Sequence, residues 1–168
     1  AVFDTAILGS NPSAPAMIML DKSFNFIKKI KRNLFPFYKN KDLKFVFNKL
    51  QEGFPSDKIT ARFVGGCVRK HLTNEKIDDI DIATILGTEE IKEKFKDTKF
   101  KIVETGIKHG TITLVSNNLK IELTTLRRDI ETYGRHAAVE YIDDWQQDSE
   151  RRDFTINAIY LDINGNIF

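Results

Sequence analysis

The stretch from Lys58 to Ile85 constrains the fold more than any other part of the chain. It reads KITARFVGGCVRKHLTNEKIDDIDIATI. The pattern predicts an alternating strand that ends on paired glycines, a helix that begins directly after them, and a second strand over DIDIATI. A strand, a helix and another strand in this order are typical of an α/β domain.

The elements that follow extend this sheet. The stretch GTEEIKEKFKDT predicts a helix with Thr88 as its N-cap and acidic residues in its first turn. Three strands are predicted in KIVETG, GTITLVSN and LKIELTTLR, and a turn at Asn117 and Asn118 predicts a hairpin between the last two. The expected fold class is therefore α/β, with a mixed sheet and flanking helices.

The flanks divide the chain into three parts. Residues 1–20 are rich in small residues without a hydrophobic period, so we predict that they are disordered or foreign to the domain. Residues 21–58 form a helical lead-in, whose second helix, KDLKFVFNKLQEGF, is stopped by Gly53 and Pro55. Residues 59–168 make the domain itself. Within it we predict a mobile loop over residues 127–145, a short helix in QDSERRDF and a closing strand and turn in INAIYLDINGNIF.

Composition narrows the classes of function. Cys67 is the only cysteine among 168 residues, so a disulfide framework and a cysteine-based zinc site are excluded, and a cytoplasmic setting is expected. No apolar run approaches the roughly 20 residues of a membrane span, so no membrane partner is expected. The net charge of +2 is compatible with nucleic-acid binding but does not predict it.

Two acidic residues stand in an otherwise apolar strand. Because strand side chains alternate, Asp79 and Asp81 are expected on one face, about 7 Å apart, with Ile80 and Ile82 on the other. Two carboxylates this close raise each other's pKa unless a cation neutralises them, and hard oxygen ligands suit Mg²⁺. The alternative is a solvent-facing edge strand that carries two acids.

The paired glycines upstream add a second signal. Gly65 and Gly66 lie between a strand and a helix, where backbone N–H groups can bind a phosphate that approaches closely. Arg69, just inside the helix, can add charge-assisted hydrogen bonds to phosphate oxygens. A Gly-Gly pair after a strand is usually only a turn, but here it precedes the carboxylate pair by one short helix and loop.

A third carboxylate is available in a later strand. Glu122 is flanked by Ile121 and Leu123, so it is expected to point away from the core. If its strand lies beside DIDIAT, Glu122 comes next to Asp79 and Asp81. Three carboxylates around two metal ions suit in-line phosphoryl or nucleotidyl transfer.

The order of these motifs resembles a known family. The blocks are RFVGGCVR, DDIDIAT, GTITLV, IELTTLRRD and GRHAAVEYIDDWQQDSERRDFTINAIY. They resemble the catalytic head of class II transfer-RNA nucleotidyltransferases, namely the CCA-adding enzymes and bacterial poly(A) polymerases of the polymerase-β-like superfamily. The resemblance covers about residues 59–168 and implies metal-dependent transfer from ATP or CTP to an RNA 3′ end, with transfer RNA as the expected partner.

The resemblance also implies roles for the matching residues. Asp79 and Asp81 would bind Mg²⁺, with Glu122 as the third catalytic carboxylate. The nucleotide would be bound by the glycine motif and by the RRDFTINA block, through Gly65, Gly66, Arg69, Arg152, Asp153 and Asn157. The loop at 127–145 matches the family's flexible loop, which helps the site to switch between CTP and ATP. A simpler alternative for the arginines is that Arg151 and Arg152 pair with Asp148 or Asp153 on a surface helix.

The chain departs from the family pattern in two places. Lys70 stands where the family usually has Asp after the arginine of its glycine motif. The chain also ends before the family's helical neck and body, so base choice, and hence CCA addition versus poly(A) addition, stays open. The rival interpretation is an inactive or partner-dependent remnant of a split gene, which binds nucleotide or metal without transfer. A separately encoded neck and body chain is a further possible partner.

Overall fold

The computed structural model describes residues 39–116, 119–130 and 138–168. The predicted segment 1–20, the first part of the lead-in and the turn at 117–118 lie outside these residues. The four helices of the described part are α1 (Lys41–Gln51), α2 (Gly66–Leu72), α3 (Thr88–Phe95) and α4 (Trp145–Glu150). The eight strands are β1 (Ala61–Val64), β2 (Ile80–Thr84), β3 (Lys101–Gly106), β4 (Thr111–Ser116), β5 (Leu119–Thr125), β6 (Arg127–Ile130), β7 (Ala138–Tyr141) and β8 (Tyr160–Leu161).

Six strands form one mixed sheet in the order β3-β4-β5-β2-β1-β8. The central pair, β2 and β5, runs parallel, whereas the other neighbouring pairs are antiparallel. The parallel pair is joined through α3, β3 and β4, which matches the long connection that parallel strands need. The prediction of an α/β fold with a mixed sheet and flanking helices is confirmed.

One face of the sheet carries the main core. Ile80 and Ile82 of β2 pack there with β4 and β5, while α1 and α3 contribute buried faces such as Leu50 and Phe95. The helix α1 follows Asn40, whose side chain accepts hydrogen bonds from the backbone N–H groups of the first turn. Because β2 alternates, burying the isoleucines turns Asp81 to the opposite face.

That opposite face carries a smaller apolar cluster. It contains Val64, Ala83, Leu126 and Tyr160, with the Trp145 side chain packed against it. Ala83 lies two residues beyond Asp81 on the same face of β2, so this cluster borders the acidic part of the strand. Helix α4 is thereby held close to the predicted site.

The predicted loop at 127–145 is wrong in part. Strands β6 and β7 form an antiparallel pair with the register Arg127↔Tyr141 to Ile130↔Ala138, followed by the start of α4. Weak hydrophobic periodicity hid these strands, because β6 is exposed beyond its first residue and offers no buried face to detect. Residues 131–137 lie outside the described part.

Two helix boundaries also differ from the predictions. Thr88 is the first residue of α3 rather than its N-cap, which is Gly87, and the Glu90 carboxylate accepts a hydrogen bond from the Gly87 N–H. Helix α4 starts at Trp145 because the Asp144 carboxylate accepts hydrogen bonds from the backbone N–H groups of Gln146 and Gln147, and it ends before the paired arginines. In the described ranges, no helix has both the length and the apolar character needed to cross a bilayer.

Candidate active site

The parallel pairing of β2 with β5 places two carboxylates side by side. Asp81 lies opposite Glu122 in the register, so both side chains leave the same face of the sheet. Asp79 does not belong to the strand, which begins at Ile80, and its side chain is exposed. The structure therefore brings Glu122 to Asp81 as the sequence predicted, while Asp79 lies just before the strand rather than within it.

Asp81 is the carboxylate whose surroundings oppose its charge. Burial is the main cause that raises its pKa, and the negative charges of Glu122 and Asp79 raise it further. The positive charges of Lys120 and Arg152 act in the opposite direction and offset this only partly. The ionised form of Asp81 is left short of compensating positive charge.

Glu122 is the carboxylate that already has a partner. Its Oε1 atom lies 2.7 Å from the Lys120 Nζ, two residues earlier on the same strand. Both side chains are more than a third exposed, so the ion pair is held weakly in solvent. Among the residues that the structure describes, no three His, Cys, Asp or Glu side chains form a group that could hold a metal ion. The three carboxylates share a region without forming a closed cage.

The glycine motif lies directly against this acidic strand. Gly65 precedes α2 with φ of 70° and ψ of −133°, a conformation that residues with a side chain rarely adopt. A Cβ atom built on Gly65 would lie 3.8 Å from the Asp81 Oδ2. Gly66 has a negative φ, and no atom lies within 4 Å of a Cβ built there. Backbone and carboxylate therefore approach each other closely at Gly65, with open space beside Gly66.

The Arg69 side chain is held by Asn157, the last residue of the predicted nucleotide-binding set. Its Nη1 donates to the Asn157 Oδ1 at 2.8 Å, across 88 residues of sequence. Asn157 sits in a single 3₁₀ turn, Thr155–Asn157, between α4 and β8. Both side chains are partly buried, so the contact fixes the arginine on α2 relative to the RRDFTINA block.

The Arg152 side chain is held by a carboxylate, that of Asp148. Its Nη2 lies 2.9 Å from the Asp148 Oδ2, and Arg151 pairs with the other oxygen at 2.8 Å. The alternative of arginines paired with Asp148 is thus observed, but Asp148 is completely buried, so this is no surface helix pair. Asp153, the remaining predicted residue, has an exposed side chain.

Lys70 also has a partner near the acidic strand. Its Nζ lies 3.2 Å from the Asp78 Oδ2, and Lys76 lies 3.4 Å from the other oxygen. The residue that departs from the family pattern is therefore matched by an acid immediately before Asp79. Lysine and carboxylate join the middle of α2 to the segment that leads into β2.

The sequence indicated Asp148 only as a surface partner of the two arginines, and it gave no role to Tyr160 or Lys120. Asp148 precedes Arg151 and Arg152 by three and four residues, which is the spacing of helix neighbours, and this spacing was the available signal. Nothing in the sequence indicated that the carboxylate is buried. The partnership of Lys120 with Glu122 follows from their positions on the same face of one strand.

The mixed sheet, with this placement of carboxylates, glycines and arginines, defines a nucleotidyltransferase-type head. The family described as poly A polymerase head domain matches residues 61–168, which is more than half of the chain. The chain belongs to this family.

Similar proteins agree with this family. The human CCA tRNA nucleotidyltransferase 1, mitochondrial, is 39% identical over 152 residues, covering 90% of this chain and 34% of the human protein. The CCA-adding enzyme of Lactobacillus johnsonii is 44% identical over 109 residues, covering 64% of this chain and 26% of that protein. The chain spans about a quarter to a third of the length of these relatives.

Solved structures show the same fold. The CCA-adding enzyme of Bacillus stearothermophilus in complex with CTP aligns with a TM-score of 0.60 and 35% identity. That alignment covers 74% of this chain and 28% of the Bacillus chain. A CCA-adding enzyme complexed with ATP aligns with a TM-score of 0.51 and 30% identity.

Proposed function

We propose that this chain is the nucleotide-binding and catalytic head of an enzyme that adds nucleotides from CTP and ATP to the 3′ end of transfer RNA. The observation that carries the proposal is the placement of Asp81 opposite Glu122 on parallel strands, with Gly65 against the Asp81 carboxylate. The complexes of similar enzymes with CTP and ATP support the choice of nucleotide.

The acidic strand fits a divalent cation of the Mg²⁺ type. All the donors at this place are carboxylate oxygens, and the pKa of Asp81 is raised by burial and by its acidic neighbours, so a cation would relieve that repulsion. Mg²⁺ is commonly held by one or two carboxylates and completed by water and phosphate oxygens. Asp79 and Asp81 would hold the ion, and water and the phosphate oxygens of the nucleotide would complete its coordination.

The reaction follows from what each residue can bind. The RNA 3′-hydroxyl attacks the α-phosphorus, the bond to the β-phosphate breaks, and pyrophosphate leaves with the electron pair. Asp79 and Asp81 would hold a divalent ion, which would supply a lowered pKa to the attacking hydroxyl and neutralising charge to the leaving oxygen. Gly65 and Gly66 would offer backbone N–H groups to the triphosphate, and Arg69 would neutralise its charge.

The remaining residues would orient the nucleotide. Arg152 lies close enough to Asp81 for its charge to act on that carboxylate, so it would face the same ligand. Asp153 is exposed and free to accept a hydrogen bond from a ribose hydroxyl. Asn157 would act through Arg69, whose guanidinium it already binds. Catalysis would consist mainly of positioning and electrostatic stabilisation.

Calorimetric titration of the full chain tests the binding step. ATP and CTP should bind in the presence of Mg²⁺, and the double variant Asp79→Ala, Asp81→Ala should lose at least about tenfold in affinity, or about 1.4 kcal/mol. Asp78→Ala is the matched control, because it removes the adjacent exposed acid and should change affinity less than about twofold. Equal affinity of the double variant and the wild type would contradict the metal role.

A transfer assay tests the chemistry. Transfer RNA without its terminal CCA is incubated with labelled CTP and ATP, Mg²⁺ and the chain, and extension is followed on a gel. Extension that is abolished by the double variant supports the proposal. Nucleotide binding without extension would favour the rival, a head that acts only with a separate neck and body chain.

A cytoplasmic setting is part of the same proposal. Cys67 is free and buried in the core, as is usual for thiols in reducing compartments. The name of the human relative carries the word mitochondrial, whereas the name of the Lactobacillus relative does not. Fractionation of the source cells, with an antibody to the chain, distinguishes the two compartments.

A further inference from the structure

Asp148 is a fully buried carboxylate beside the candidate site. Its side chain has no solvent exposure, although an isolated buried charge is strongly unfavourable. It lies on α4, just before the arginines of the RRDFTINA block, and the function proposed above assigns it no role. A carboxylate in this position requires several donors.

The two oxygens of Asp148 bind two different sets of donors. Oδ1 accepts from the Arg127 backbone N–H at 3.1 Å and from the Arg151 Nε at 2.9 Å. Oδ2 accepts from the Tyr160 hydroxyl at 2.5 Å and from the Arg152 Nη2 at 2.9 Å. One carboxylate thus joins the first residue of β6, the end of α4 and β8.

The charges of this cluster stabilise one another. Burial alone would raise the pKa of Asp148, but the Tyr160 hydrogen bond and the two arginine charges lower it. Burial and the same hydrogen bond raise the pKa of Tyr160 to about 12, so this hydroxyl stays a donor at neutral pH. The cluster is therefore charged, paired and fixed across the physiological range.

The side chain of Arg152 has contacts on two sides. Its Nε donates to the Tyr160 oxygen at 3.2 Å and to the Asp148 Oδ2 at 3.3 Å, and its guanidinium lies 5.5 Å from the Tyr160 ring centre. Tyr160 pairs with Val64, the residue before Gly65, and packs in one apolar cluster with Ala83 of β2, so the Arg152 guanidinium against Tyr160 lies beside the glycine motif and the acidic strand. Arg151 instead lies beside Arg127, whose pKa its charge lowers.

We propose that Asp148 is a positioning residue that holds the Arg152 guanidinium against Tyr160 and aims it at the nucleotide beside Asp81. The inference rests on the proposed function, since it concerns the same site. Because Asp148 is fully buried, it would contact the guanidinium and not the nucleotide. It fixes Arg152, the arginine that lies against Tyr160, and thereby removes in advance the side-chain freedom that Arg152 would otherwise lose on binding nucleotide.

A double-mutant cycle on ATP affinity tests the proposal at 10 °C with Mg²⁺. Asp148→Asn and Arg152→Gln should each weaken ATP binding about tenfold, and Asp148→Asn should cost less than about twofold when Arg152→Gln is already present. Arg151→Gln is the matched control, because it removes the other arginine of the same carboxylate and should change affinity less than about twofold. A purely structural role for Asp148 predicts instead an equal loss in both backgrounds, and that result overturns the proposal.

A second variant covers the case in which Asp148→Asn does not fold. Tyr160→Phe keeps every charge and removes one hydroxyl from the cluster, and it should weaken ATP binding about threefold with no additional effect in the Arg152→Gln background. An additive loss in this cycle equally contradicts the proposal.

The position of Arg152 can also be read without nucleotide. In ¹⁵N NMR spectra of the arginine side chains, the Arg152 Nε–H signal, assigned by its loss in Arg152→Gln, should exchange slowly with water. The exchange should quicken by about threefold or more in Tyr160→Phe, which removes one of the two acceptors of this N–H, but not in Arg151→Gln. If the wild-type chain binds no ATP, the proposed function fails, and this measurement alone decides the inference: a rapidly exchanging Arg152 in the wild type overturns it.

Discussion

The acidic strand and the arginine cluster are neighbours with opposite electrostatic states. At the acidic strand, the pKa of Asp81 is raised by burial, Glu122 and Asp79, so its negative charge is undercompensated. At the cluster, the pKa of Asp148 is lowered in spite of complete burial, because two arginines and a hydroxyl bind it. Both carboxylates lie on the same side of one small sheet.

This difference indicates that Asp81 is suited to ligand binding and that Asp148 is suited to supporting the fold. A buried charge that the protein fully pairs contributes rigidity and has little left to offer a ligand. A carboxylate whose repulsion the protein leaves unrelieved gains from a cation that arrives with the substrate. Changes at Asp148 should therefore damage the fold first, and changes at Asp81 should damage ligand binding while sparing or improving the fold.

The largest effect is expected for Asp148→Ala. Removal of this carboxylate leaves Arg151 and Arg152 without their buried partner, which typically costs about 3–5 kcal/mol of unfolding free energy. Urea denaturation followed by circular dichroism measures the loss. Glu150→Ala, an exposed acid on the same helix, is the control and should stay within about 0.5 kcal/mol of the wild type. A cost below about 1 kcal/mol for Asp148→Ala would show that the cluster is not a support.

The second-largest effect is expected at the glycine motif, where Gly65 and Gly66 differ in backbone strain. Gly65→Ala should cost about 1–3 kcal/mol, because φ is 70° there and an alanine is strained in that conformation. Gly66→Ala is the matched control, with a negative φ and open space around the added methyl, and should be nearly neutral. Urea denaturation of both variants makes the comparison. Equal losses at the two positions would contradict the assignment of strain to Gly65 alone.

Much of this architecture was predictable because it depends on local pattern. The alternation of Ile80 and Ile82 with Asp81 predicted which face of β2 is buried, and the same alternation predicted that Glu122 points away from the core, whereas the pairing of β5 with β2 is seen only in the structure. The start of β2 one residue after Asp79 was not predictable, because alternation continues through both acids. The burial of Asp148 depends on Tyr160 and Arg127, which approach it only in the folded chain. Sequence spacing shows helix neighbours but not what covers them.

Mg²⁺ with ATP should stabilise the wild type more than a variant that lacks a carboxylate of the proposed ion site. At ten times its dissociation constant, Mg²⁺ with ATP should stabilise the wild type by about 1.4 kcal/mol through mass action. The stabilisation should fall to about 0.4 kcal/mol or less in Asp81→Asn, whose affinity is weakened at least about tenfold, and should persist in Arg151→Gln, because Asp81 belongs to the proposed ion site and Arg151 does not. Thermal unfolding monitored by fluorescence, with and without Mg²⁺ and ATP, gives the answer. A full shift in Asp81→Asn would place the ion elsewhere.

The smallest effect is expected for Asp81→Asn without ligand, where the variant should be slightly more stable than the wild type at pH 7. The pKa of Asp81 is raised above its ordinary value of 3.8 in the folded chain, mainly by burial. The folded state therefore holds this proton more tightly than the unfolded state, and stability is lost as the pH rises from the ordinary pKa through the raised one. Asparagine has no charge to desolvate, so the variant escapes this loss, and a gain of 1 kcal/mol corresponds to about 2–4 °C in Tm for a chain of this size. The advantage should shrink as the pH falls toward 3.8, where the wild-type carboxyl becomes neutral as well.

Asp57→Asn, at an exposed loop position, should show no comparable pH-dependent gain. Scanning calorimetry between pH 4 and pH 7 follows both variants, and a variant Asp81→Asn that is less stable at pH 7 would show that the carboxylate supports the fold rather than waiting for a cation.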